Sequence, residues 1–254
     1  MVKILGRAVL GTLFTLAAGA THAAELKVFS TIGVQAALEQ LEPQFEKQVG
    51  AKLSITWATA AMLVKRVAAG ETADCYVLTA QGFDALVKQG KATGGPDSTF
   101  ARSGIAMVVK KGASKPDIST PDAFKRTLLK AKSIAYSNPA AGGASGVYIA
   151  KLLERMGIAD QVKAKTKHPP AGGNSADLVA SGEAELAIQQ EPELISVTGV
   201  DLVGPLPAAS NHVTGYSAGP NPSSARAAAC QALVKFLRSP AAKDVFKARG
   251  LTPA

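Results

Sequence analysis

The sequence predicts an α/β protein of two lobes, each a mainly parallel sheet flanked by helices, with a ligand cleft between the lobes. Three observations carry this reading. Short apolar runs alternate with helix-period amphipathic segments. The alternation comes in two series, and the chain closes on two helices that are expected to return to the first lobe. Loops of small residues follow the strands, where α/β sheets gather their ligands.

The first series opens on "LKVFS", a strand. "VQAALEQLEPQFEKQVG" repeats apolar residues at helical spacing and stops at Gly50. "LSITW" and "CYVLT" are strands, followed by the helices "AAMLVKRVAAG" and "QGFDALVKQG", which end at Gly70 and Gly90. "GIAMVVKKG" is a longer strand. It leads to "TPDAFKRTLLKA", a helix with Thr120 as its cap and Pro121 at its first position. The second series runs through the strand "SIAYS", the helices "YIAKLLERMG" and "SADLVASG", and the strands "ELAIQQ" and "VDLVGPLP". "SSARAAACQALVKFLRS" and "PAAKDVFKARG" are the closing helices. The expected division is 1–23 as a leader, 24–104 with 209–254 as lobe one, and 105–208 as lobe two.

The leader reading rests on Lys3 and Arg7, the uncharged run "AVLGTLFTLAAGA", and "THA" with small residues before a cleavage point near Ala23. It predicts export, most simply to a bacterial periplasm. The alternative is a membrane anchor, for which the run is short. Of 254 residues, 28 are basic and 19 acidic, and removing Lys3 and Arg7 leaves an excess of seven positive charges. These charges are scattered and aromatics are only 5%, so a nucleic-acid surface is not expected. The net charge instead steers small anions toward the protein. Cys75 and Cys230 are the two cysteines. Export allows a disulfide between them, and two buried free thiols fit a strand and an amphipathic helix equally well. No Cys/His spacing suggests a metal site.

The loops Ser30–Gly33, Trp57–Ala61, Ser137–Gly146 and Gly172–Ser175 are the candidate walls of an anion cleft. Small residues let a ligand reach the backbone, and the helix that follows offers free N–H groups. Ser30, Thr31, Gly33, Thr59 and Ala60 stand in the first two loops. Ser145 and Gly146 begin the helix after the third, where Gly146 is expected to keep the backbone bare for a carboxylate. A bulky side chain at that position would then block ligand without unfolding the protein. Asn174 serves either the ligand or the next helix as a cap. Gln190 follows a buried strand and carries an amide donor. Arg102, just before a lobe-crossing strand, is either a cleft cation or a surface residue. For Lys65 and Arg66 the surface is the preferred reading.

The stretches "LKVFSTIGVQAALEQLEPQFEKQVGAKL", "GETADCYVLTA", "GGASGVYIAKLLERMGI", "GEAELAIQQ" and "ALVKFLRSPAAKDVFKARGL" occur in an order that resembles the periplasmic molybdate-binding proteins of ABC transporters, a type II periplasmic binding fold. The resemblance covers the whole mature chain. It implies two lobes around a cleft, a small anionic ligand, a permease partner in the inner membrane, a monomer and no cofactor. It does not carry molybdate with it. The hydroxyls that cage the oxyanion in that family fall here on Gly33, Ala60, Ala61 and Gln190, and a buried acceptor left without a donor costs about 1–3 kcal/mol.

"ARSG", "SNPAAGGASG" and "GGNSADLVASGEAELAIQQ" resemble a divergent branch of the family that takes carboxylates and includes aconitate isomerase. Two functions follow from that resemblance. One is a receptor that captures a di- or tricarboxylate such as aconitate for a transporter, preferred because most proteins of this fold bind and release. The other is an isomerase that moves a proton within aconitate, with Glu191, His168 or Tyr148 as the candidate base. A molybdate or oxyanion receptor is the third reading.

Overall fold

The computed structural model describes residues 24–254, so the leader and its cleavage point lie outside the described residues. Lobe one opens with strand β1 (Ala24–Thr31), a short 3-10 turn at Ile32–Val34, and helix α1 (Gln35–Val49). Strand β2 (Ala51–Ala58), helix α2 (Ala60–Ala68), strand β3 (Cys75–Thr79), helix α3 (Ala80–Lys88) and strand β4 (Thr99–Ser103) follow. Strand β5 (Ile105–Lys110) starts the second sheet. The chain continues through α4 (Pro121–Lys130), β6 (Ile134–Tyr136), α5 (Ala144–Arg155), α6 (Ala159–Lys163) and β7 (Thr166–Lys167). Next come α7 (Ser175–Ala180), β8 (Leu186–Gln190), α8 (Glu191–Ile195) and β9 (Val200–Pro205). Strand β10 (Thr214–Pro220) returns to the first sheet, and α9 (Ala227–Leu237), α10 (Pro240–Ala248) and β11 (Thr252–Pro253) complete it.

The six-stranded sheet has the order β11-β4-β10-β3-β1-β2, and the five-stranded sheet β7-β6-β8-β5-β9. Both sheets are mixed rather than mainly parallel. β1 pairs in parallel with β2 and β3, but β10 lies antiparallel between β3 and β4. In the second sheet β6 is parallel to β7 and β8, while β5 is antiparallel to β8 and β9. The antiparallel strands border the two passages between sheets, where the chain crosses over directly and has no room for a covering helix.

Local sequence sets the element ends. The Thr59, Thr79, Thr120 and Ser239 side chains each accept a hydrogen bond from an N–H in the first turn of the helix they precede. Gly50 closes α1 at φ 70°, a conformation that Cβ-bearing residues avoid. The apolar faces then sandwich the sheets. One side of the first sheet packs α1, α9 and α10 around Leu26, Phe45, Phe236 and Phe246, and the other packs α2 and α3 around Leu63 and Phe83. The second sheet buries Phe124, Ile149 and Leu153 on one side and Val179 and Leu194 on the other. Each such side chain contributes roughly 1.5–3 kcal/mol on burial.

Two passages join the lobes, one at Gly104 between β4 and β5 and one through residues 206–213. A single side chain ties them together. Asn211 Oδ1 accepts from the Ile105 N–H and from its neighbour His212 N–H, both at 2.8 Å, and Asn211 Nδ2 donates to the Leu206 carbonyl at 3.2 Å.

Cys75 and Cys230 form a disulfide, which settles the choice left open above. It fastens β3 to α9 across 155 residues of chain. Replacing both cysteines with alanine should lower the unfolding free energy by about 2–4 kcal/mol, read from urea melts, because the unfolded chain regains the closed loop.

Gly146 has a packing role. A Cβ there would overlap the carbonyl oxygen and carbon of Ser137, so its missing side chain is what lets α5 sit against the end of β6. The expectation that a bulky residue would leave the fold untouched is therefore corrected. Gly146→Val should destabilise the ligand-free protein by about 3 kcal/mol, the upper end of the usual overpacking cost, and lower its melting temperature accordingly.

Candidate functional site

Between the lobes lies a cavity of about 610 Å³. The carboxyl ends of β1, β2, β3, β6 and β8 all deliver residues to it, among them Thr31, Thr59, Thr79, Ser137 and Gln190. Helices α2, α3 and α5 begin at this wall, so their unpaired N–H groups face one space. Lys65 and Lys151 stand along the wall and supply formal positive charge. The surface reading of Lys65 is thus corrected in part, since it is exposed but borders the cavity. Arg66 is held outside by Glu71 at 2.6 Å and lies over the Phe29 ring.

The predicted site residues divide. Thr31, Gly33, Thr59, Ala60, Ser145 and Gln190 all border the cavity. Thr59 also reaches across it, donating to the Ala141 carbonyl of the other lobe at 3.2 Å while capping α2. Gly33 gives up space, because a Cβ there would stand 2.6 Å from the Tyr216 hydroxyl. The tyrosine occupies the room a larger residue would need.

Ser30, Gly146, Asn174 and Arg102 do not border this cavity. Ser30 is buried within the sheet and donates to the adjacent Thr31 carbonyl. Asn174 caps α7, accepting from Ala176 N–H at 3.0 Å and donating to the Glu193 carbonyl. Arg102 is exposed on β4 because strand alternation turns Ala101 and Ser103 inward and Arg102 outward.

The candidate bases are also sorted. His168 is exposed, bonded through Nδ1 to the Tyr136 carbonyl at 2.8 Å, and away from the cavity wall. Glu191 turns toward Gly250, also away from it. Tyr148 borders the cavity, but its hydroxyl donates to the backbone carbonyls of Ser210 and Asn211 at 3.3 and 3.1 Å. Its ring stacks on His212, another wall residue, at 4.9 Å.

The carboxyl group that does meet the cavity is Glu193, two residues past the sequence-based choice. It sits at the third position of α8, whose first residue is Glu191. The Gln190 backbone N–H and the Gln189 side chain hydrogen-bond to it, a local capping arrangement in itself. Gln189 is in turn fixed by Ser175, whose N–H and Oγ donate to Gln189 Oε1 at 2.8 and 2.6 Å. Burial still outweighs these bonds and pushes the Glu193 carboxyl up to about 7. Burial also raises the Tyr216 hydroxyl, and the Glu193 charge raises it further.

Ser103, Thr214, Tyr216, Glu193 and His212 were not anticipated. Among the described residues, no group of three or more His, Cys, Asp or Glu side chains could hold a metal ion. No helix among them is long and apolar enough to cross a membrane.

The raised Glu193 carboxyl makes stability fall with pH. The native state keeps a proton that the unfolded chain, with an ordinary value of 4.5, releases. Stability associated with this group is therefore intact below pH 4.5 and lost as pH rises through about 7. Between pH 5 and 8 the ligand-free protein should lose roughly 1–3 kcal/mol from this source, and Glu193→Gln should remove that part of the slope in thermal melts.

The family model for bacterial extracellular solute-binding protein matches residues 26–252. Aconitate isomerase from a Pseudomonas species is 38% identical over 234 residues, covering 90% of this chain and 87% of that protein. The molybdate-binding protein ModA of Escherichia coli (strain K12) is 24% identical over 234 residues, covering 90% of this chain and 89% of that one. The solved periplasmic molybdate-binding protein of Azotobacter vinelandii shares the fold with a TM-score of 0.70 at 23% identity, covering 89% of this chain and 98% of that one. The family match begins within β1 and ends within β11, taking in both lobes and the cleft, and the chain belongs to the bacterial extracellular solute-binding protein family.

Proposed function

We propose that the chain takes a di- or tricarboxylate into the cleft and moves a proton within it, interconverting trans- and cis-aconitate. The observation that carries this reading is Glu193. It is a carboxyl group on the wall of an anion-suited cavity, and its proton affinity is tuned near neutral pH. A pure anion receptor gains nothing from a carboxylate in that place. The 38% identity to an aconitate isomerase over nearly the whole chain supports the same substrate.

The reaction makes a simple demand. Glu193 takes a proton from the methylene carbon beside a carboxylate. The electron pair spreads through the double bond into the flanking carboxyl groups. The same carboxyl group returns a proton to the former vinylic carbon, so the double bond moves one position and the formula is unchanged. Free N–H groups at the starts of α2 and α5, with Lys65 and Lys151, would hold the substrate carboxylates and carry the charge that builds on them. No cofactor is required. On this reading the chain is exported, loses its leader near Ala23 and works in the periplasm as a monomer.

A receptor that hands a carboxylate to an ABC permease is the second reading, favoured by the family match itself. Molybdate is a weaker fit, because Ala60 and Gly33 supply no hydroxyl at the cavity wall.

The purified protein incubated with trans-aconitate should accumulate cis-aconitate, followed by proton NMR. The kcat/KM should climb with pH to a plateau above about 7, where Glu193 is ionised. Glu193→Gln should lower kcat by about 10²–10⁴-fold, the usual contribution of a positioned base. Calorimetric binding of trans-aconitate without turnover would establish the receptor reading instead. Tight molybdate binding with no carboxylate binding would overturn both.

A further inference from the structure

The base of the cleft carries a chain of hydrogen bonds whose direction follows from valence. Ser103 has one hydroxyl proton and donates it to Gln190 Oε1 at 2.6 Å. The 2.9 Å contact between Ser103 Oγ and the Tyr216 hydroxyl is then made with the tyrosine's proton. On its other side the Gln190 amide donates from Nε2 to Thr214 Oγ1 at 2.7 Å. All four side chains are buried, so none of them can exchange its partner for bulk water without cost.

The two ends of this chain differ. Tyr216 sends its proton inward. Thr214 receives a bond on its oxygen and keeps its own proton, which no hydrogen bond among the described residues takes up. Gln190 Nε2 has a second proton in the same condition. Both residues border the cavity.

We infer that Thr214 Oγ1 and Gln190 Nε2 form a donor pair at the base of the cleft that grips one carboxylate of the ligand. An ionised carboxylate only accepts hydrogen bonds, and two adjacent uncharged donors match its two oxygens. Gln190 directly precedes α8, which carries Glu193, and both residues border the same cavity. Charge that builds on the gripped carboxylate during the shift meets donors already fixed by the Ser103–Gln190 bond, with no reorganisation. Thr214 is thereby assigned as a specificity-determining residue. The assignment rests on the carboxylate reading of the cleft given above.

The test is the affinity of trans-aconitate and cis-aconitate, measured by calorimetry. Thr214→Val keeps the shape and removes the donor, and it should weaken binding about 10- to 100-fold, the effect of one hydrogen bond to a charged group. Thr214→Ser restores the hydroxyl and should bind close to the parent. If Thr214→Val does not fold, Thr214→Ala against Thr214→Ser makes the same comparison. Tyr216→Phe should weaken binding less than Thr214→Val does. Three results overturn the assignment. Equal affinity of Thr214→Val and the parent shows that the threonine donates nothing. A larger loss in Tyr216→Phe than in Thr214→Val shows that the chain runs the other way, with the tyrosine facing the ligand. A parent that binds neither isomer removes the carboxylate reading and this assignment together.

Discussion

The buried amide of Gln190 is the constraint around which the site is arranged. It sits at the end of a strand in lobe two, yet its partners, Ser103 and Thr214, belong to strands of lobe one. A primary amide taken out of water must find both an acceptor and a donor, or its desolvation opposes folding. Those partners exist only where β4 and β10 approach β8 at the passages between lobes. The same few residues therefore set the base of the cleft and the place where the lobes join. Asn211 acts nearby on the backbone, binding Ile105, His212 and Leu206 through one side chain.

The electrostatics of the cleft are built mainly from neutral parts. Helix starts, hydroxyls and amides surround the cavity, and the formal charges along its wall are few. An uncharged lining lets a multiply charged anion enter without paying for fixed ion pairs that must first be broken. It also leaves Glu193 without a neighbouring cation to hold it ionised, so burial sets its proton affinity. In a basic lining the same carboxyl group would be an inert half of a salt bridge. The isomerase and receptor readings share this cavity and differ in what that one group does.

Much of the architecture was legible in the sequence because local signals were strong. Threonine caps, glycine stops and alternating apolar runs marked the elements, and the loops after β1, β2, β6 and β7 were recognised as cavity walls. The rule behind that recognition looks for ligands beyond the carboxyl ends of strands. It is blind to an antiparallel strand, which meets the cleft with its first residues. β10 is such a strand, and Thr214 and Tyr216 were missed for that reason. Arg102 and Ser103 illustrate a second limit, since alternation makes adjacent residues face opposite ways and the register of β4 was not visible in the chain. Glu191 and Glu193 repeat the lesson in a short helix that no periodicity announces. Gly146 shows a third limit, because a glycine kept for close packing and a glycine kept for a ligand look identical in sequence.

The first sheet is assembled from both ends of the chain, with β1 to β4 before the second sheet and β10 and β11 after it. This arrangement imposes a timetable on biosynthesis. The second sheet is continuous in sequence and has every strand it needs once residue 205 has emerged. The first sheet must wait for the last tenth of the chain, since α9 supplies both an apolar cover and the Cys230 partner of Cys75. β3 presents an unpaired edge until β10 emerges, and a free thiol until Cys230 follows. A ligand cannot act as a folding template early, because half of its pocket is still unmade. A truncation after β10 would thus yield an intact second lobe joined to an unfinished first, a product recognisable by the open edge of β4 that β11 no longer covers and by the reactive Cys75.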